Sequence, residues 1–292
     1  MRHGTMLLLI VLGASPALAQ DSGVGAVTTL TPFLAARAKH VTKIKVPEDH
    51  PVFGVRLSPF RGVEEVKYPS GDLQLRAWFQ RPKKAGKVPA LVYFHSGFTL
   101  KEEDWANTGP FRRAGFAVMC PMFRAENGNP GQYQLFYGEL DDARAAIRWL
   151  ASQPGIDPDK IITFGHSIGG AVSSMLSLYD EPKVLLSGGA AGLFPPNACR
   201  SCWDGWLPFD GSDKTECDLR LLCRNFPSMK QHHVAYMGKD DDWLAASVKE
   251  IEALAKKANA PLEIVRVPGS HMSCLERATK DYLERAQTAI GR

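Results

Sequence analysis

Short apolar runs alternate along this chain with stretches whose apolar residues recur at helical spacing. Val63 to Tyr68 and Leu73 to Gln80 predict two strands joined through Pro69-Ser70-Gly71-Asp72, a hairpin turn signal. Val88 to Phe94 is unbroken apolar sequence and predicts a strand buried on both faces. A helical segment near Trp105 to Ala114 and a strand from Phe116 to Met122 come next, then a Gly/Asn/Pro-rich loop up to Tyr137. Leu140, Ala143, Ile147 and Leu150 then mark one face of a helix, with Asp141, Asp142, Arg144 and Arg148 on its polar side. That pattern stops at Gln153-Pro154-Gly155, and the next strand is expected from Lys160. Further strands are expected at Val184 to Gly192, His233 to Met237 and Leu262 to Val267, with helices at Trp243 to Ala258 and Cys274 to Ile290. Alternation of this kind predicts an α/β fold, a mostly parallel doubly wound sheet covered on both faces.

Two regions break the rhythm. Phe194 to His232 holds four cysteines, two tryptophans and scattered prolines, and reads as a cap-like insertion over the carboxyl edge of the sheet. At the other end, Arg2 and His3 precede the apolar run Met6 to Leu12, and Ala17-Leu18-Ala19 follows. That order predicts a signal peptide (1–19) cleaved after Ala19, hence a secreted or periplasmic protein. Residues 20–60 are read as an N-terminal arm and 61–292 as one domain containing the insertion. The 292 residues carry a net charge of +4, and no basic run is present, so nucleic acid is not an expected partner. No stretch approaches the ~18 apolar residues of a membrane span.

The chemistry concentrates in Ile161-Ile162-Thr163-Phe164-Gly165-His166-Ser167-Ile168-Gly169-Gly170. An apolar run enters Gly-x-Ser-x-Gly and leaves through small residues. This is the pattern of a sharp strand-to-helix turn that lifts a serine hydroxyl clear of a sheet. A serine needs a base to take its proton and a third group to orient that base. His271 is the one histidine placed just past the last predicted strand; His166 lies too close to the serine in sequence, and His232 and His233 precede a strand. Acids fall at the end of the preceding strand, where Asp240, Asp241 and Asp242 are adjacent and residue reading alone leaves the choice open. Transition-state charge needs two backbone donors, one expected from Ile168 and the other from the loop His95-Ser96-Gly97-Phe98.

From about Val63 to Ile290 the chain resembles the α/β-hydrolase superfamily, and within it the dienelactone-hydrolase and prolyl-oligopeptidase catalytic domains. The second likeness is carried by Gly138-Glu139-Leu140-Asp141-Asp142-Ala143 through Trp149-Leu150-Ala151-Ser152, then Gly155-Ile156-Asp157-Pro158-Asp159-Lys160 and the serine turn. The resemblance implies an α/β-hydrolase fold, a Ser-acid-His order, and an acid three residues after a glycine. That selects Asp241, with Asp240 as alternative and Asp242 as the cap of the following helix. Against His-Gly-Gly-type loops, Phe98 becomes the second oxyanion donor and Gly97 the neighbour that lets the chain approach. Two departures matter: no propeller sequence precedes the hydrolase part, and dienelactone hydrolases proper use cysteine where this chain has Ser167.

The expected activity is therefore cleavage of an ester or amide through an acyl-enzyme, with Ser167, His271 and Asp241 as triad. A carboxylesterase is the first choice. The alternatives are a prolyl-oligopeptidase-like peptidase and a catalytically silent binding protein on the same fold. Neither cofactor nor metal is called for; the partner is a small ester or peptide substrate. Cys199, Cys202, Cys217 and Cys223 are expected to form disulfides, pairing undetermined, rather than a zinc site, and Cys120 and Cys274 to be buried thiols.

Overall fold

The computed structural model describes residues 30–45, 55–201, 203 and 205–291. The expected signal peptide, the first part of the arm and Cys202 lie outside the described residues. In the arm, the Thr31 hydroxyl accepts the Leu34 N–H and starts α1 (Pro32–Lys39). β1 (Glu64–Ser70) and β2 (Leu73–Gln80) then form the expected antiparallel hairpin. β3 (Val88–Phe94) is buried at every residue, as its unbroken apolar sequence requires.

In place of the single expected helix, α2 (Glu102–Asn107) and α3 (Gly109–Arg113) stand in succession. Pro110 supplies no N–H to continue α2, so the chain restarts there. β4 (Ala117–Pro121) follows, then α4 (Gly138–Ala151), whose Leu140, Ala143, Ile147 and Leu150 are all buried. β5 (Ile156–Gly165) begins earlier than expected. Ile156 pairs with Val88 across a register shift before the regular ladder Ala90–Ile161 to Phe94–Gly165. Asp157 and Pro158, which precede the expected start at Lys160, are thereby drawn into the strand.

After β5 come α5 (Ile168–Leu176) and β6 (Leu186–Ala190). Among its described residues the insertion holds short pieces, α6 (Ala198–Ser201), α7 (Lys214–Asp218) and two 3-10 turns. β7 (His233–Gly238), α8 (Asp242–Lys257), β8 (Leu262–Val267) and α9 (Cys274–Ala289) complete the chain.

The eight strands lie in the order β1-β2-β4-β3-β5-β6-β7-β8. β1, β2 and β4 are joined by antiparallel pairings, and every pairing from β4 through β8 is parallel. Helices α3 and α9 pack together on the sheet, and α4 and α5 form a second packed pair. Under α9, Phe164 and Tyr282 stack at 4.6 Å, and the Tyr282 hydroxyl donates to the carbonyls of Thr163 and Leu186. Among the described residues no helix is long and apolar enough to cross a membrane.

The arm is tied to the insertion. The Thr42 hydroxyl and Lys43 N–H both donate to the Glu216 carboxylate at 2.9 Å, and Lys45 N–H donates to the Pro208 carbonyl. Arg220, fully buried, pairs with Glu216 at 2.6 Å and lies against the Phe209 ring. Cys199 and Cys217 are joined by a disulfide. Cys223 is a buried free thiol, so the expectation that bridges would take up this residue too is corrected. Cys120 and Cys274 are buried free thiols.

Candidate active site

Parallel strands deliver their following loops to one edge, so the ends of β3, β5, β7 and β8 converge on a shared region. Ser167 stands at the end of β5 with φ +54 and ψ −114, a conformation rare for a residue with a side chain. It is held there by its N–H, which donates to the Ala190 carbonyl at 2.8 Å, and by its carbonyl, which accepts the Ala171 N–H at 2.9 Å. A Cβ on Gly169 would fall 2.0 Å from the Phe94 carbonyl oxygen and 2.5 Å from that of His95. Only glycine lets the serine turn press this closely on the end of β3.

His271 lies on the loop after β8. Its Nε2 is 2.9 Å from Ser167 Oγ, and its Nδ1 is 3.0 Å from Asp241 Oδ2. A carboxylate can only accept, so Nδ1 carries the proton and Nε2 is left to accept the serine hydroxyl. Asp241 is buried, and its second oxygen accepts the Leu244 N–H at 3.2 Å as N-cap of α8. Asp242, expected as that cap, is instead the first helical residue. Asp240 acts elsewhere. Its Oδ2 accepts the Gly269 N–H at 3.2 Å, and its own N–H donates to the Gly269 carbonyl. It ties the acid loop to the histidine loop.

The loop after β3 is held from two sides by buried polar groups. Asp104 Oδ1 on α2 accepts the N–H and hydroxyl of Ser96 at 2.8 and 3.0 Å. From the loop after β4, the Asn127 amide bonds both the N–H and the carbonyl of Leu100, at 3.0 and 3.1 Å. The His95 ring contacts Glu126 at 2.8 Å. Burial alone would lower the His95 pKa, but the Glu126 carboxylate outweighs it and raises the value to about 9. Between these anchors Gly97 turns the chain at φ +62, and Phe98 follows. Ile168 is the first residue of α5, where an N–H has no acceptor within its helix. Gly97, Phe98 and Ile168 are thus placed on the two segments that meet at Gly169. Spacing could not reveal Asp104, Glu126 or Asn127, because each acts on a loop from a different element.

Aromatic side chains border this loop. Phe98 stacks on Trp206 of the insertion at 4.9 Å and meets Tyr133 edge-on at 5.6 Å. Trp203, Phe209 and Phe226 are buried, whereas Trp206 keeps 38% of its surface exposed. His233 is buried beside the Ser187 hydroxyl, and burial lowers its pKa to about 3, so it stays neutral. Among the described residues no cluster of three or more His, Cys, Asp or Glu is arranged to hold a metal ion.

Such a site can pass a proton from hydroxyl to imidazole while a carboxylate balances the imidazolium. Known proteins share parts of the sequence and the fold. Residues 71–187 match the family model described as X-Pro dipeptidyl-peptidase (S15 family). An uncharacterized protein of Mycobacterium tuberculosis is 28% identical over 215 residues, covering 71% of each chain. The uncharacterized peptidase YtmA of Bacillus subtilis is 26% identical over 116 residues, 39% of this chain and 44% of that protein. In fold the chain is similar to a Pyrococcus furiosus esterase, with a TM-score of 0.61 at 16% identity over 86% of this chain and 98% of the other. With its strand order and the serine turn at the end of β5, the chain has the α/β-hydrolase fold, and the family match and the relatives support a serine hydrolase of the esterase or peptidase type.

Proposed function

We propose that this serine hydrolase cleaves carboxylic esters through an acyl-enzyme formed on Ser167. The observation that carries the reading is the unbroken hydrogen-bond chain Ser167 Oγ–His271 Nε2, His271 Nδ1–Asp241 Oδ2, at 2.9 and 3.0 Å. As Ser167 Oγ attacks the ester carbonyl carbon, its proton passes to His271 Nε2, and the Asp241 carboxylate stabilises the imidazolium. The carbonyl oxygen, now anionic, is received by the backbone N–H groups of Ile168 and Phe98, the loop being turned at Gly97, φ +62, where a Cβ would meet no neighbour. The tetrahedral centre collapses, the C–O bond to the alcohol breaks, and His271 returns the proton to that oxygen. Water repeats the sequence on the acyl-enzyme, releasing the acid and restoring the Ser167 hydroxyl.

The aromatic border of Phe98, Trp206 and Tyr133 favours an uncharged, apolar acyl group. A peptidase is the second reading, favoured by the match of residues 71–187 to the dipeptidyl-peptidase family model. Export through cleavage after Ala19 belongs to the proposal. It is supported by the Arg2, apolar-run and Ala-Leu-Ala order and by a disulfide, which persists in oxidising compartments. A panel of p-nitrophenyl esters of rising acyl length, set beside aminoacyl-p-nitroanilides, tests the substrate class. Turnover of esters alone is the result expected, and faster turnover of the anilides would replace the ester reading with the peptidase one. An exported protein whose first residue is not Gln20 would overturn the cleavage site.

A further inference from the structure

The histidine preceding the nucleophile has no part in the proton path, yet it is bonded to the base. His166 is 1% exposed, and its Nε2 lies 2.7 Å from the backbone carbonyl oxygen of His271. From the geometry we infer that His166 is a positioning residue, whose ring N–H fixes the backbone of His271 relative to the serine turn. The inference rests on the Ser167–His271 reading of the site.

Neighbouring residues of one turn reach the same residue by two routes. Ser167 Oγ meets the side chain of His271 at 2.9 Å, while the His166 ring meets its carbonyl at 2.7 Å. A carbonyl only accepts, so His166 must carry its proton on Nε2, and that nitrogen cannot serve as a base. Burial lowers the His166 pKa, and its hydrogen bond to the His271 carbonyl offsets part of that. The ring therefore stays neutral beside a partner that becomes a cation in catalysis, their centroids 5.5 Å apart. A second donor, the thiol of buried Cys274, reaches the same carbonyl at 3.4 Å. The loop turns at Gly269, φ +111, and Asp240 holds it only as far as that residue. Ser270 bonds Ser273 and Cys274, farther along its own segment. The His166 ring ties the backbone of His271 to the serine turn.

Loss of this bond lets the base drift without touching the substrate, so its signature is a fall in kcat with KM spared. Three variants separate bonding from packing. His166→Phe keeps a flat ring and removes the donor. His166→Gln puts an amide N–H the same number of bonds from the backbone as Nε2, whereas the amide of His166→Asn stops one bond short.

With a p-nitrophenyl ester, His166→Phe and His166→Asn should lower kcat about 10- to 100-fold and leave KM within about twofold, the scale of a misplacement near 1 Å. His166→Gln should recover most of that loss, and the rate of fluorophosphonate labelling at Ser167 should follow kcat across the set. Wild-type kcat in His166→Phe, or a loss that Gln restores no better than Asn, would overturn the inference while a labelled wild type leaves the serine-hydrolase reading standing. A wild-type protein that neither labels nor turns over any ester overturns both.

Discussion

Asp241 meets His271 with one carboxylate oxygen, at 3.0 Å from Nδ1, while its other oxygen caps α8 through the Leu244 N–H. The same side chain therefore holds the imidazole and the start of a helix, and the two roles respond differently to substitution. Asparagine caps a helix about as well as aspartate. Its amide can also turn an N–H toward Nδ1 and favour the wrong tautomer, a change that costs ~10⁴ in rate in a known triad.

Asp241→Asn should accordingly lose up to ~10⁴ in kcat with little change in melting temperature. Asp241→Ala should lose activity as well and about 1 kcal/mol of stability with the cap. Asp240→Asn keeps an acceptor for the Gly269 N–H and should stay within several-fold of wild type. Kinetics and thermal melts on the three proteins check this, and a crippled Asp240→Asn beside an active Asp241→Asn would reassign the acid.

Ser167→Ala should abolish ester turnover and fluorophosphonate labelling, a loss on the order of 10⁶ in kcat where a triad acts as a unit. Its melting temperature should not fall, because a smaller side chain occupies the same strained backbone. Retained turnover would remove Ser167 from the mechanism.

The parts of the site that follow each other in sequence were legible, because the chemistry is carried by local spacing. Gly165, Ser167 and Gly169 must sit together to make the turn, and His271 must follow the last strand. Residue reading leaves Asp240, Asp241 and Asp242 open and a likeness to known hydrolases selects Asp241; the structure sets that side chain 3.0 Å from His271 Nδ1. Long-range bonds left no trace in spacing. Asp104, Glu126 and Asn127 reach the loop after β3 from other elements, and His166 bonds a residue 105 positions away. The break at Pro110 and the early start of β5 were missed because one residue's chemistry or one pairing partner overrode the periodicity of its neighbours.

The His95–Glu126 pair makes stability depend on pH. Burial opposes a charged His95, but the Glu126 carboxylate raises its pKa from 6.5 to about 9. A raised folded-state value stabilises fully below the unfolded pKa near 6.5, and that contribution is lost as pH rises through about 9. Melting temperature should therefore fall between pH 7 and 10 by more in the wild type than in Glu126→Gln, where the carboxylate is gone. Equal slopes in the two proteins would place the titration elsewhere.

The Cys199–Cys217 disulfide closes a loop with a sequence separation of 18 in an insertion built from short helices. In the chain-entropy account a loop of this size is worth about 3 kcal/mol. The bridged segment carries Trp206 against Phe98, so loosening it should disturb substrate binding before it disturbs the chemistry. Cys199→Ser, or mild reductant, should raise KM for long-chain p-nitrophenyl esters several-fold and leave the rate on acetate esters nearly unchanged. In the oxidised protein, alkylation under denaturing, non-reducing conditions should modify Cys120, Cys223 and Cys274 and spare Cys199 and Cys217. Free reaction of Cys199 and Cys217 under those conditions would dissolve the bridge. A KM unchanged by its removal would separate the insertion from substrate choice.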